Sequence, residues 1–158
     1  MPSVWRIATD APTYTADDLT GEGARLTGGR WNRKGKAAVY ASSSIALACL
    51  ETLVHLVGSV PFNRYLVEIA IPDAVWRRAE TFDMGATEAV GWDALPAGKV
   101  SLDAGDRWLS AKSAALFFVP SVVVPEEYNV LINPAHPNTA EFVAKKCRRF
   151  LYDPRVVE

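Results

Sequence analysis

Residues 3–8, rich in apolar, β-branched and aromatic side chains with only Ser3 and Arg6 polar, predict a first strand. Residues 10–35 lose that pattern. They are polar and glycine-rich, too long for a simple turn, and loops of this length in compact domains are often functional. Residues 37–41 predict a short strand carrying Tyr40. Helical spacing follows: Ser43 or Ser44 caps a helix running to about Val57, with Gly58 as its stop. Alternation marks 64–71 and ends at Pro72. The middle, 73–105, is mixed and tryptophan-bearing, and 106–110 predicts a helical turn. Residues 114–119 and 122–124 predict buried strand pieces meeting at Pro120-Ser121, and 127–132 continues the sheet to a turn at Asn133-Pro134. A short helix at 139–146 and a strand at 148–152 complete the pattern. Many strands with one strong helix imply an α+β fold, a largely antiparallel or mixed sheet with a few flanking helices. No repeat or linker divides the sequence, so one domain over 1–158 is expected.

Within the strong helix, Ile45, Cys49, Leu53 and Leu56 share one stripe, the expected core side. Glu51, Ala48, Thr52 and His55 fall on another. Glu51 and His55 stand four apart, as an ordinary solvent-face pair would. Leu47 and Val54 flank the carboxylate, so an acid roofed inside a cleft is the alternative. Ser121, between two apolar runs, needs a hydrogen-bond partner if buried, and backbone at a strand corner can supply it. His136, within Asn133-Pro134-Ala135-His136-Pro137, reads as turn chemistry.

The densest chemistry lies in Gly28-Gly29-Arg30-Trp31-Asn32-Arg33-Lys34-Gly35-Lys36. Neither familiar nucleotide cradle is present. A P-loop needs glycine where Arg30 stands and Ser or Thr where Ala37 stands, and Gly21 and Gly23 lack the third glycine of a dinucleotide fingerprint. What remains is an arginine between flexible glycines, whose planar fork suits phosphate oxygens. An exposed loop with Trp31 packed back on the body explains the same residues. Tyr40, Ser42, Ser43 and Glu51 follow closely downstream, the groups that chemistry on a phosphate-bearing ligand would use.

Charge and composition refine this only at the margins. A hydrophobic share of 49% and a charged share of 22% are those of an ordinary folded chain, and a net charge of −1 argues against a generic nucleic-acid coat. The basic residues are nevertheless clustered. Arg25, Arg30, Arg33, Lys34 and Lys36 form one group, and Lys145, Lys146, Arg148 and Arg149 a second. Cys49 and Cys147 share no metal-ligand spacing, which with two histidines disfavours a zinc site and fits a reduced, cytoplasmic chain. No secretory signal or membrane span is expected.

Taken in order, Trp5-Arg6-Ile7, Gly29-Arg30-Trp31-Asn32, Val39-Tyr40-Ala41-Ser42, Ala46-Leu47-Ala48-Cys49-Leu50-Glu51, Val119-Pro120-Ser121 and the 129–137 segment resemble the RES domain family, as does Asp153-Pro154-Arg155. That family supplies the toxin half of Xre-RES toxin–antitoxin pairs. The resemblance covers nearly the whole chain and places the family's Arg, Glu and Ser on Arg30, Glu51 and Ser121. It implies an ADP-ribosyltransferase-like fold, NAD as the substrate, no metal, and an Xre antitoxin whose helix-turn-helix protein masks the cleft. Neither direct nucleic-acid binding nor membrane association is implied.

The resemblance also implies roles. Arg30 grips the NAD pyrophosphate, Tyr40 stacks on the nicotinamide and Glu51 faces the ribose. Ser121 orients Glu51 or the ribose hydroxyls, while Arg6, Trp31 and Ser42 line the cleft. Arginine-modifying transferases carry two glutamates one residue apart, whereas here Cys49 precedes a lone Glu51, so the acceptor of ADP-ribose stays open among a protein, water and phosphate. Two other classes remain at this point: a ribonuclease using the basic clusters with His55 or His136, and a binding module without catalysis.

Overall fold

A computed structural model describes residues 1–157. Seven strands form one mixed sheet: β1 (Ser3–Thr9), β2 (Val39–Ser42), β3 (Arg64–Ala70), β4 (Glu80–Thr81), β5 (Leu116–Pro120), β6 (Tyr128–Ile132) and β7 (Val143–Arg149). Their order is β4-β5-β6-β2-β1-β3-β7, with only β4 and β5 parallel. Four helices join them: α1 (Glu22–Thr27), α2 (Ile45–Leu53), α3 (Asp73–Arg77) and α4 (Lys99–Ala111). The expected α+β class is therefore the observed one. Among the described residues, no helix is long and apolar enough to cross a membrane.

Both faces of the sheet are covered, and the period of two sorts the side chains between them. Val4, Val39, Ala41, Val67, Ile69, Leu116, Val130 and Ile132 pack on one face with Val75 of α3 and Phe142. The other face is roofed in two places. Ile7 and Leu66 meet Ala48 of α2, while Phe117, Val119 and Leu131 meet Ala104 and Trp108 of α4. The central strands thus lie between two helical roofs.

Several elements differ from the sequence pattern. The expected helix at 139–146 is a 3-10 turn (Pro137–Glu141) followed by β7, which pairs with the open edge of β3 from Ala70↔Val143 to Tyr65↔Arg149. That ladder outweighs the weak helical propensity of a short segment. Residues 122–124 are not a strand either, because the Ser121 hydroxyl accepts from the amides of Val123 and Val124 (3.1 Å each) and turns the chain. The one-turn expectation at 106–110 is a 13-residue helix. Helix α2 ends at Leu53, and its buried residues are Leu47 and Ala48 rather than the Ile45 stripe; Ile45 is 36% exposed. Glu51 follows Leu47 by four and Ala48 by three, so it sits on the protein-facing side.

Candidate active site

The site grows from β2 and the loop before it. Tyr40 and Ser42 alternate with the core residues Val39 and Ala41, so both point to the roofed face, about 7 Å apart along the strand. Beside Ser42 lies its β6 partner Asn129, whose Oδ1 accepts the Ser42 hydroxyl at 2.7 Å. The next strand places Val119 opposite Asn129, and the chain leaves β5 into Ser121.

Ser121 is fully buried, and its hydroxyl donates to Glu51 Oε1 at 2.5 Å. Because the amides of Val123 and Val124 occupy its lone pairs, the serine proton has only the carboxylate to serve. Glu51 is half-buried and bonded across the fold to Ser121, so it does not stand on a free solvent face. His55 is exposed, a full turn on.

Arg30 enters from the glycine-rich loop. Its Nη1 donates to the carbonyls of Trp92 (3.0 Å) and Ala94 (2.8 Å), which leaves Nη2 and Nε as a two-pronged edge. The guanidinium lies within electrostatic reach of the Tyr40 hydroxyl. Burial pushes that phenol above the ordinary tyrosine range, while the bond from the Trp31 amide and the Arg30 charge oppose the rise.

Helix α4 holds the loop from behind. Ser101 Oγ donates to the Arg30 carbonyl at 2.8 Å. At Gly105 the backbones touch so closely that a Cβ would fall 1.7 Å from the Trp31 carbonyl oxygen. On either side of Gly105, Asp103 pairs with Arg33 at 2.9 Å and Asp106 pairs with the same guanidinium. The two carboxylates hold the Arg33 guanidinium above its ordinary range. Arg33 is thus committed to the scaffold.

Two expected cleft residues lie elsewhere. Trp5 pairs with Ser42, so Arg6 projects to the opposite face of the sheet, away from Tyr40 and Glu51. There its Nε is buried without a partner, and burial lowers the guanidinium against the opposing pull of Asp18. Trp31 is 3% exposed and packs among Phe82, Trp92 and Phe117, so it backs the site without lining it. His136 keeps its turn role, its Nδ1 accepting the Asn138 amide at 3.1 Å.

Sequence reasoning missed Asn129, the carbonyls of the 92–94 turn and the part of α4 that precedes the expected turn at 106–110. A signal for the helix existed: Val100, Ala104 and Trp108 recur every four residues, and Ser101, Gly105 and Leu109 follow one step behind. Gly98, its first capping position, carries no side chain to announce the start.

Known proteins match along the whole of this arrangement. The family model for the RES domain matches residues 3–153. The chain is 60% identical to the Prs ADP-ribosylating toxin of Sphingobium sp. (strain YBL2) over 156 residues, covering 98% of this chain and 96% of that protein. It is 38% identical over 145 residues to a protein named Toxin Res from Yersinia enterocolitica, covering 90% and 93% of the two chains. A Toxin Res of Pseudomonas putida is 36% identical over 137 residues, with 85% and 86% covered. With a family match from residue 3 to residue 153 and a relative 60% identical over nearly the full length of both chains, the chain belongs to the RES domain family.

Proposed function

We propose that this chain is a toxin that cleaves the nicotinamide–ribose bond of NAD and passes ADP-ribose to a protein acceptor, the whole of 1–158 acting as one RES domain. The observation that carries the reading is the bond from Ser121 to Glu51 on the sheet face that also presents Tyr40. A fixed acid and an aromatic ring then share one face of the sheet, with the Arg30 charge felt at the Tyr40 hydroxyl.

In this reading Arg30 takes the pyrophosphate on Nε and Nη2, and the ring of Tyr40 stacks on nicotinamide. Cleavage of the glycosidic bond builds positive charge on the ribose, as in glycoside hydrolysis. A carboxylate ~4 Å from that charge stabilises it by ~4 kcal/mol at an effective dielectric of ~20, roughly three decades of rate if the ground state lacks the charge. Ser121 holds the carboxylate in place so that no reorganisation precedes the step. Neutral nicotinamide leaves, and the acceptor nucleophile takes the ribose carbon and loses its proton.

A protein acceptor is favoured over water or phosphate by the name of the Sphingobium relative, an ADP-ribosylating toxin for Prs. The relatives named Toxin Res support an antitoxin partner, which in this reading is a protein of the Xre class. The test is to mix the purified chain with NAD labelled in the adenylate and with lysate, and follow nicotinamide release and the label. Nicotinamide release with label in a protein band, Prs first, is the expected result. No loss of NAD while RNA is degraded would overturn it.

A further inference from the structure

The loop bearing Arg30 and the strand bearing Tyr40 are joined through one buried amide. Asn32 is 0% exposed, and its side chain is fully engaged: Nδ2 donates to the carbonyls of Ala24 (2.8 Å) and Lys36 (2.9 Å), and Oδ1 accepts the Tyr40 hydroxyl at 2.6 Å. The same hydroxyl accepts the Trp31 amide at 2.9 Å. A phenol has one proton to give, and here Asn32 takes it. The packing is close: a Cβ on Gly29 would fall 2.7 Å from the Tyr40 oxygen and 2.9 Å from Asn32 Oδ1. Hydroxyl, amide and glycine thus form a latch at the root of the Arg30 loop.

We propose that Asn32 is a positioning residue: through the Tyr40 hydroxyl it fixes the Arg30 loop, and it leaves Tyr40 only the face of its ring to offer a ligand. The inference rests on the NAD reading for the identity of that ligand, but the latch itself is a property of the protein's own side chains. Its consequence is a division of labour within one side chain. The ring binds, the oxygen holds the neighbouring loop, and proton transfer is left to other groups.

Tyr40→Phe keeps the ring and removes only the latch. By NMR, exchange of the Trp31 amide should quicken about five- to tenfold, the loss of one ordinary hydrogen bond. The KM for NAD should rise by a similar factor, while kcat falls less and its alkaline limb keeps its shape. Asn32→Ser should raise KM too, and in the double variant the two increases should combine to less than their product, because each breaks the same bond. Unchanged Trp31 exchange, a collapse of kcat at constant KM, or fully multiplicative effects would each overturn the proposal. A purely structural asparagine would lower the melting temperature and leave KM unmoved, which also counts against it. If the wild-type protein releases no nicotinamide, the NAD reading fails on its own, and the exchange measurement still decides whether the latch exists.

Discussion

Two segments of this chain carry nearly the same basic chemistry and meet opposite fates. In the 25–36 loop, Arg25 pairs with Glu22, Arg33 with Asp103 and Asp106, and Arg30 with two main-chain carbonyls. Its partners come largely from α4 and the 92–94 turn, far along the chain. In 145–149, the side chains stand on β7 at the outer edge of the sheet, and Lys145, Arg148 and Arg149 are exposed. Arg148 lies over Phe150, and Arg149 reaches only the carbonyl of Phe62. Charged side chains on an edge strand discourage pairing with another chain, and a register shift beside Leu66 and Val67 adds to that protection. Basic composition alone does not distinguish a site from an edge. The close-packed glycine behind the loop does, since the edge has a distant acid of its own in Asp10 and a distant carbonyl in Phe62.

The sharpest break between the two segments is expected at their acids. Glu51→Gln keeps the shape and the Ser121 contact but removes the charge, so NAD turnover should fall about a thousandfold with folding intact. Asp10, which holds Lys146 of the edge strand at 2.9 Å, should tolerate the same change with turnover unaltered. Equal losses in both variants, measured by nicotinamide release, would erase the distinction.

Next in size is the contact behind the loop. In Gly105→Ala the new methyl must push Trp31 and α4 apart, which should cost about 3 kcal/mol of stability in urea unfolding and weaken NAD binding as Arg30 loses its support. No glycine plays such a part at β7. A stable Gly105→Ala protein with normal KM would mean that α4 does not buttress the site.

The sequence pattern already carried much of this. Strands β1, β2, β3, β5 and β6 follow alternation or apolar runs, and the strong helix was legible from its spacing and its Ser44 cap, which accepts the Leu47 amide at 3.1 Å. What was not legible depended on partners distant in sequence. β7 read as part helix because its ladder to β3 is invisible locally. Arg6 and Trp31 read as cleft residues because residue type does not reveal which face of a strand, or which side of a loop, a side chain takes. The sequence leaves Glu51 between solvent and cleft because the core stripe of α2 is set by the sheet beneath it. The pairing of Glu51 with Ser121, 70 residues apart, comes only from the fold.

A smaller effect separates the arginines themselves. Arg30→Lys loses the planar fork, so the KM for NAD should rise about tenfold, near the worth of one charge-assisted bond. Arg148→Lys, on the edge, should leave KM where it was. A matching rise in both would place the ligand's phosphates somewhere other than the free edge of Arg30.

The least expected change is one of pH at the tether between the edge strand and the loop after β1. The Lys146 hydrogen bond holds the Asp10 carboxyl below the usual range, helped by the Ala16 amide, and the Lys146 ammonium is held above its own. A depressed carboxylate stabilises the fold above its unfolded pKa of about 3.9, and that contribution is lost as pH falls through the folded value. A raised ammonium contributes below about 10.4 and loses its share as pH climbs past it. Lys146→Met should therefore melt slightly lower than wild type at neutral pH, and the gap should close at both extremes. Because the pair is exposed, salt should narrow the gap as well. A difference that persists unchanged in strong acid and high salt would assign the effect to the packing of the Lys146 stem over Tyr65, where its nitrogen lies 4.5 Å from the ring, and not to charge.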